Sequence, residues 1–365
     1  RHKSCGLQPA QQAAAFKVFA ATLAELYPDV TTRPKLIGPD VGYYDPQMWL
    51  SELLGNFSEF HAITYHVYSW LNKRNFDLAM PIDNALTDGE SWYPGLVKAM
   101  APGAEVWAGE DGPISGGEDG TCGGMFPNGS STNKSVCGTY ATIPWYANDL
   151  GVRATLGFKQ YQRQDLIGGR YGLMGIPHDN EMLGTTDAVR LNPDFWINFM
   201  WKRVMGDTVL NVTAGNSGGM LDAALRVYAH CGVPPSPFAP TSTPPTPSSP
   251  TTPSTPTSRS TSAASSATPT PMGLVLININ STSSRVVKFA TDDTTHTVWT
   301  ITPGGGGVFG ETSLMNGIPL QATITDSVAI GNIPVKGKVV KGSITLPPFS
   351  VTFAISECTT KSVFE

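Results

Sequence analysis

Glu110 is the side chain on which a chemical reading of this sequence turns. It follows the strand-forming run Val106-Trp107-Ala108 and the flexible Gly109, and precedes a glycine-rich stretch through Gly116 and Gly117 without hydrophobic periodicity. A carboxylate so placed lies at the C-terminal end of a strand, where the loops of a parallel α/β fold form the mouth of a site. There a carboxylate can take part in chemistry, and neighbouring donors would favour its ionised form. Tyr68, at the end of the preceding strand, is the candidate donor, and His66 packs nearby. The ordinary readings are a solvated loop glutamate and two inward-facing strand residues. Asp111 directly follows Glu110 and points elsewhere; Glu118 and Asp119 read as a solvated pair, and Asp165 as a supporting acid.

The elements that must position these residues alternate. Residues 8 to 27 predict a helix: Pro9 suits the first turn, and Phe16, Phe19, Ala20, Leu23, Leu26 and Tyr27 recur at helical spacing. Lys35 to Asp40 reads as a strand, and Asp45-Pro46 opens a helix whose inner face carries Trp49, Leu53, Leu54 and Phe57. Ala62 to Tyr68 is a second strand, with a helix from Trp92 to Met100 after it. The Glu110 strand is the third, followed by a helix from Thr139 to Leu150 that Gly151 caps. Arg153 to Gln160 is expected as the fourth strand, and Asn192-Pro193 as the start of a helix carrying Phe195, Trp196, Phe199, Met200 and Val204. Alternating units of this kind over residues 1–207 imply a parallel sheet. A closed (β/α)8 TIM barrel takes about 250 residues and eight such units, so the expectation is its C-terminal half, strands 5–8.

The alphabet then changes. Short β-rich runs separated by Gly, Pro, Ser and Thr clusters occupy residues 208–233 and 272–358 and predict a C-terminal β-sandwich. Residues 234–271 are almost wholly Pro, Ser, Thr and Ala, and read as a disordered insertion unable to bury a core. If Cys231 pairs with Cys358, that tract is an excursion between two strands of one sandwich.

A net charge of -5 and the absence of any Lys/Arg run exclude a nucleic-acid binder by composition. No apolar stretch approaches the roughly 18 to 20 residues of a membrane span, so no transmembrane segment is expected in this chain. Sequons at Asn56, Asn128, Asn133, Asn211 and Asn280, with the Pro/Ser/Thr tract, point to a secreted or extracellular glycoprotein, at the cell surface or in a lysosome-like compartment. Cys122, Cys137, Cys231 and Cys358 fit disulfides better than a metal site, and neither a metal nor a cofactor is expected. Cys5 is left over, and the chain opens at Arg1 without a leader. The expectation is that further sequence precedes Arg1 and supplies the partner of Cys5.

Leu36-Ile-Gly-Pro-Asp-Val-Gly42, His66-Val-Tyr68, Val106-Trp-Ala-Gly-Glu110 with Gly116-Gly117, Gln162-Arg-Gln164 through Tyr171, and Arg226-Val-Tyr-Ala-His-Cys231 follow one another in an order that resembles the heparanase-like enzymes, glycoside hydrolase family 79. Trp299-Thr-Ile-Thr-Pro303, Leu314 to Leu320 and Leu346 to Phe353 are similar to that family's C-terminal β-domain. The resemblance implies a retaining β-glucuronidase-type hydrolase on a barrel with a β-sandwich beside it. Glu110 then matches the nucleophile, and Gln164, Gly169 and Tyr171 the positions that hold a uronate. Gly116 and Gly117 offer backbone N–H groups to a sugar carboxylate, with no Cβ in the way. Arg163 and Arg170 could pair with that carboxylate or face solvent. The family's acid/base glutamate follows an Asn at the end of the fourth barrel strand; Asn180-Glu181 lies in the wrong unit, so that residue is expected before Arg1 and this chain alone is expected to be inactive.

The implied partner is a glucuronic-acid-containing glycan. Sulfated heparan chains need clustered cations, and the sequence gathers no such cluster, which favours a less sulfated glycan or glycoconjugate. The competing readings are a retaining glycosidase of the same clan acting on a neutral sugar, and a carbohydrate-binding protein without turnover.

Overall fold

The computed structural model describes residues 8–42, 46–68, 92–113, 136–167, 172–175, 189–212, 224–232, 270–289, 293–320, 323–324 and 335–358. The first part alternates as its periodicity dictates. Helix α1 (Pro9–Leu26) is followed by β1 (Ile37–Val41), α2 (Pro46–Asn56), β2 (Ala62–Tyr68), α3 (Trp92–Met100), β3 (Glu105–Gly112), α4 (Thr142–Leu156) and β4 (Gln160–Arg163). The four strands form one parallel sheet in the order β1-β2-β3-β4.

Helices α1 to α3 cover one face of this sheet. Leu50, Leu53 and Leu54 of α2 and Tyr93 and Val97 of α3 pack with Ile63 and Val106 in one buried cluster. Phe16, Phe57 and Phe60 close its edge, with Phe57 and Phe60 edge-to-face at 5.0 Å. Each such side chain stabilises the fold by about 1.5–3 kcal/mol on burial. Because strand side chains alternate, committing Ile63 and Tyr65 to the helical layer turns Thr64, His66 and Tyr68 to the opposite face.

The fourth unit departs from the sequence expectation. Helix α4 does not stop at Leu150 but runs to Leu156, so Arg153 is helical and β4 begins only at Gln160. The left-handed C-cap is Gly157, with φ 91°. Gly151 lies inside the helix for a packing reason: a Cβ there would sit 2.2 Å from the ring of Tyr228. A glycine can thus signal close approach of another element rather than a helix end.

Beyond it come β5 (Met174–Gly175), β6 (Val189–Leu191) and α5 (Phe195–Val204). The remaining strands are β7 (Thr208–Leu210), β8 (Leu225–Cys231), β9 (Thr270–Asn278), β10 (Arg285–Lys288), β11 (Thr295–Pro303), β12 (Ser313–Met315), β13 (Ile318–Pro319), β14 (Thr323–Ile324), β15 (Lys338–Lys341), β16 (Ser343–Leu346) and β17 (Ser350–Cys358). An eight-stranded sheet runs β13-β12-β11-β17-β9-β8-β7, with β15 also on β11, and its strand pairs are antiparallel. Strand β9 is buried on both faces. Met272, Leu274 and Leu276 join Val287 of β10 and Ile344 and Leu346 of β16 in one cluster, while Val275 and Ile277 meet Trp145, Trp196 and Phe199 of α4 and α5 in another. The second cluster crosses the boundary expected at residue 208, and β14 pairs β6 across it as well.

Strands β8 and β9 are direct neighbours, Cys231 opposite Met272, so the Pro/Ser/Thr tract connects adjacent strands of one sheet. Strand β9 begins at Thr270, two positions inside the tract as drawn from composition. Cys137 and Cys231 are each in a disulfide; Cys122 and the side chain of Cys358 lie outside the described residues. No described helix is long and apolar enough to cross a membrane.

Candidate active site

Two β-bulges build the site. Tyr65 pairs with Ala108, but the next residue, His66, pairs with Glu110, leaving Gly109 as the extra residue of β3. Strict alternation would put Glu110 on the face of Val106, against the helices. The bulge turns it to the face of His66 and Tyr68. In the same way, Pro39 pairs with Thr64 and Val41 with Tyr65, leaving Asp40 as the extra residue of β1. Asp40 takes the left-handed conformation, φ 61°, which aspartate tolerates better than most residues. Gly109 is required between them. A Cβ on it would overlap Asp40 Oδ1 and lie 2.8 Å from Thr64 Cβ.

The result is a chain of four side chains at the C-terminal end of the parallel strands. The Tyr68 hydroxyl donates to Glu110 Oε1. His66 Nδ1 lies 3.4 Å from Glu110 Oε2, and its Nε2 lies 2.8 Å from Asp40 Oδ2. Burial lowers the His66 pKa, but the Asp40 hydrogen bond and the charges of Asp40 and Glu110 outweigh it, so the imidazole rests above its ordinary value. With a carboxylate at each ring nitrogen, the imidazolium form can donate to both. The Glu110 side chain is 29% exposed, so one carboxylate oxygen is oriented by the phenol while the group stays open to a ligand.

Asp111 points the other way, into the helical layer, and is fully buried. Arg153 of α4 meets it at 2.6 Å and Asp149 at 3.0 Å, and the Tyr161 hydroxyl donates to Asp149. Arg163, expected beside a ligand carboxylate or in solvent, does neither. Its guanidinium is buried 2.8 Å from Asp194 and 5.5 Å from the ring centre of Trp145. The reason is parity: Ala108 and Asp111 are the β4-facing partners of Tyr161 and Arg163, on the side of α4. Gln164 follows at this strand end, its N–H donating to the Asp111 carbonyl at 2.7 Å and its own carbonyl beside Gly112. Burial raises the Asp165 pKa, against its backbone hydrogen bond and the Arg163 charge.

Structure therefore brings together Glu110, Tyr68 and His66, adds Asp40, and places Gln164 at the same strand ends. Gly116, Gly117, Gly169, Arg170, Tyr171, Glu118 and Asp119 lie outside the described residues. Asp40 was legible only as part of the Gly-Pro-Asp-Val-Gly run. Arg153 and Asp149 carried no signal, because the expected fourth strand began inside α4. Among the described residues no group of three His, Cys, Asp or Glu side chains converges as a metal site.

A family profile described as the N-terminal domain of glycosyl hydrolase family 79 matches residues 3–151, which include Asp40, His66, Tyr68 and Glu110. Over these residues the chain matches glycosyl hydrolase family 79, and it is similar to heparanase-like proteins. It is 28% identical over 229 residues to baicalin-beta-D-glucuronidase of Scutellaria baicalensis, covering 62% of this chain and 38% of that one. It is 27% identical over 221 residues to heparanase-like protein 2 of Arabidopsis thaliana (59% and 35% covered) and 26% over 213 residues to heparanase of Gallus gallus (56% and 35%). The chain thus spans 35–38% of the length of these relatives. Among solved structures, an arabinofuranosidase superposes with TM-score 0.55 at 12% identity, over 96% of this chain and 63% of that one. A 4-O-alpha-L-rhamnosyl-beta-D-glucuronidase of Fusarium oxysporum gives TM-score 0.55 at 12% identity, over 95% and 64%. At such identities the likeness is one of fold alone.

Proposed function

We propose that this family 79 chain carries the nucleophile half of a retaining β-glucuronidase site, with β1 to β4 as strands five to eight of a (β/α)8 barrel beside a β-sandwich. The observation that supports it most is Glu110 itself: a part-exposed carboxylate at a parallel strand end, turned to the site face by a bulge and held by a phenol. Retention requires one carboxylate to attack the anomeric carbon and a second carboxyl group, about 5–5.5 Å away, to protonate the leaving oxygen and later activate water. Glu110 fits the first role. Tyr68 holds it in line, and His66, pinned by Asp40, adds positive charge beside it.

The relatives' names include two β-glucuronidases, one in sequence and one in fold, which favours a glucuronide over a neutral sugar. The described strand ends offer His66 and Gln164 rather than a cluster of Lys and Arg, which suits a less sulfated glycan or glycoconjugate. We place the protein on the secretory route, in keeping with its bonded Cys137 and Cys231 and the exposed sequon residues Asn56 and Asn211.

The test is the burst of dinitrophenolate from a panel of dinitrophenyl glycosides, whose leaving group departs without protonation, so that the first step reads attack by the nucleophile alone. Glucuronide cleavage well above glucoside, xyloside and arabinofuranoside is expected. Faster cleavage of a neutral glycoside would overturn the substrate assignment, and comparable turnover of sulfated heparan and simple aryl glucuronides by the full-length enzyme would overturn the low-sulfation reading.

A further inference from the structure

We propose that Arg153 is a positioning residue that decides which of two neighbouring acids, Glu110 or Asp111, faces the site. The inference rests on the reading of Glu110 as nucleophile. Consecutive residues of a strand point to opposite faces, so a one-residue slip exchanges them. With the bulge at Gly109, Glu110 stands opposite His66 and Asp111 enters the helical layer. Without it, Asp111 would take the site face, and Glu110 the layer beneath.

Arg153 opposes that slip. It bonds Asp111 at 2.6 Å and Asp149, one turn earlier in α4, at 3.0 Å. Its guanidinium carbon sits 5.2 Å from the ring centre of Phe158 and 5.4 Å from that of Tyr161, so α4 and β4 both hold it. Arg153 and Asp111 are 1% and 0% exposed. Two physical effects then select the register. Glu110 is one methylene longer than Asp111, and a close-packed layer does not absorb the extra volume freely. Asp111 deprived of Arg153 would be a buried carboxylate that has lost the cation paired with it, which disfavours that position. Its route to water is the site face.

The experiment is carbodiimide coupling of glycine ethyl ester to accessible carboxylates of the full chain under native conditions, mapped by peptide mass spectrometry. Wild type should label Glu110 and spare Asp111. Arg153→Met should raise Asp111 labelling about tenfold or more relative to Glu110, since a buried carboxylate that loses its paired cation is strongly disfavoured. Arg153→Lys, which keeps the charge, should restore the wild-type order. A merely structural role would expose both acids together and give no exchange. Should Arg153→Met fail to fold, Asp149→Asn loosens Arg153 while preserving shape and should give an intermediate ratio. Protection of Asp111 in the folded Arg153→Met protein, or in Asp149→Asn if that is the variant that folds, overturns the proposal. This map needs no turnover. Absence of dinitrophenyl glucuronide cleavage by wild type would sink the glucuronidase reading and leave the register test standing.

Discussion

The carboxylate of Glu110 is held by one phenol and one imidazole, and these contacts set what each substitution should do. Glu110→Gln keeps size and polarity but removes the attacking charge; in a complete protein that carries the acid/base, aryl glucuronide turnover should fall by about a thousandfold or more, with the thermal midpoint unchanged. Tyr68→Phe removes a single charge-assisted hydrogen bond. At about 1.5–3 kcal/mol for such a bond, kcat should drop by roughly ten- to a hundredfold while KM moves little. Equal loss of both parameters' ratio through KM alone would mean that Tyr68 binds substrate instead. Glu110, Tyr68 and His66 were legible in the sequence because strand ends concentrate chemistry. Asp40 was not, since its part depends on a bulge that no alternation pattern announces.

Element pairing explains the rest of the local logic, and two glycines test it. A helix-interior Gly→Ala change ordinarily stabilises by about 0.5–1 kcal/mol. Gly151→Ala in α4 should do the reverse, because its Cβ would enter the Tyr228 ring. We expect a loss of about 1–3 kcal/mol, as for an overpacked core, measured as a lower urea midpoint at unchanged slope. A higher midpoint would mean that β8 can retreat from α4. Gly109→Ala should strike the site, displacing Asp40 or Thr64. The elements themselves were largely readable: β2 and α3 fall on their expected residues because apolar spacing there is unambiguous. The α4 to β4 junction was not. Arg153 to Leu156 mix charge and apolar residues without a period that separates helix from strand, and the tertiary contact to Tyr228 made Gly151 look like a terminator.

At the scale of the whole molecule, α4 and α5 share one core with the antiparallel sheet, so these elements should unfold together. Protonation should modulate that transition. Burial lowers the pKa of His230 and His296 below 6.5, so the unfolded chain binds more protons than the folded one just below that pH. Their contribution is therefore full above pH 6.5 and lost as the pH falls through their folded values. His66 has the opposite sign: its raised pKa gives a contribution that is full below 6.5 and lost as the pH rises through its folded value. Thermal midpoints should drop below pH 6.5, and His296→Gln should flatten that limb; an unaltered slope would show that His296 does not titrate in the transition. The central claim is narrower and can be tested directly. Incubated with dinitrophenyl 2-deoxy-2-fluoro-β-D-glucuronide, the protein should form an ester between a Glu110 carboxylate oxygen and the anomeric carbon as dinitrophenolate leaves. Peptide mass spectrometry should then find the sugar on Glu110 and none in Glu110→Gln, whereas a label on any other carboxylate would contradict the account.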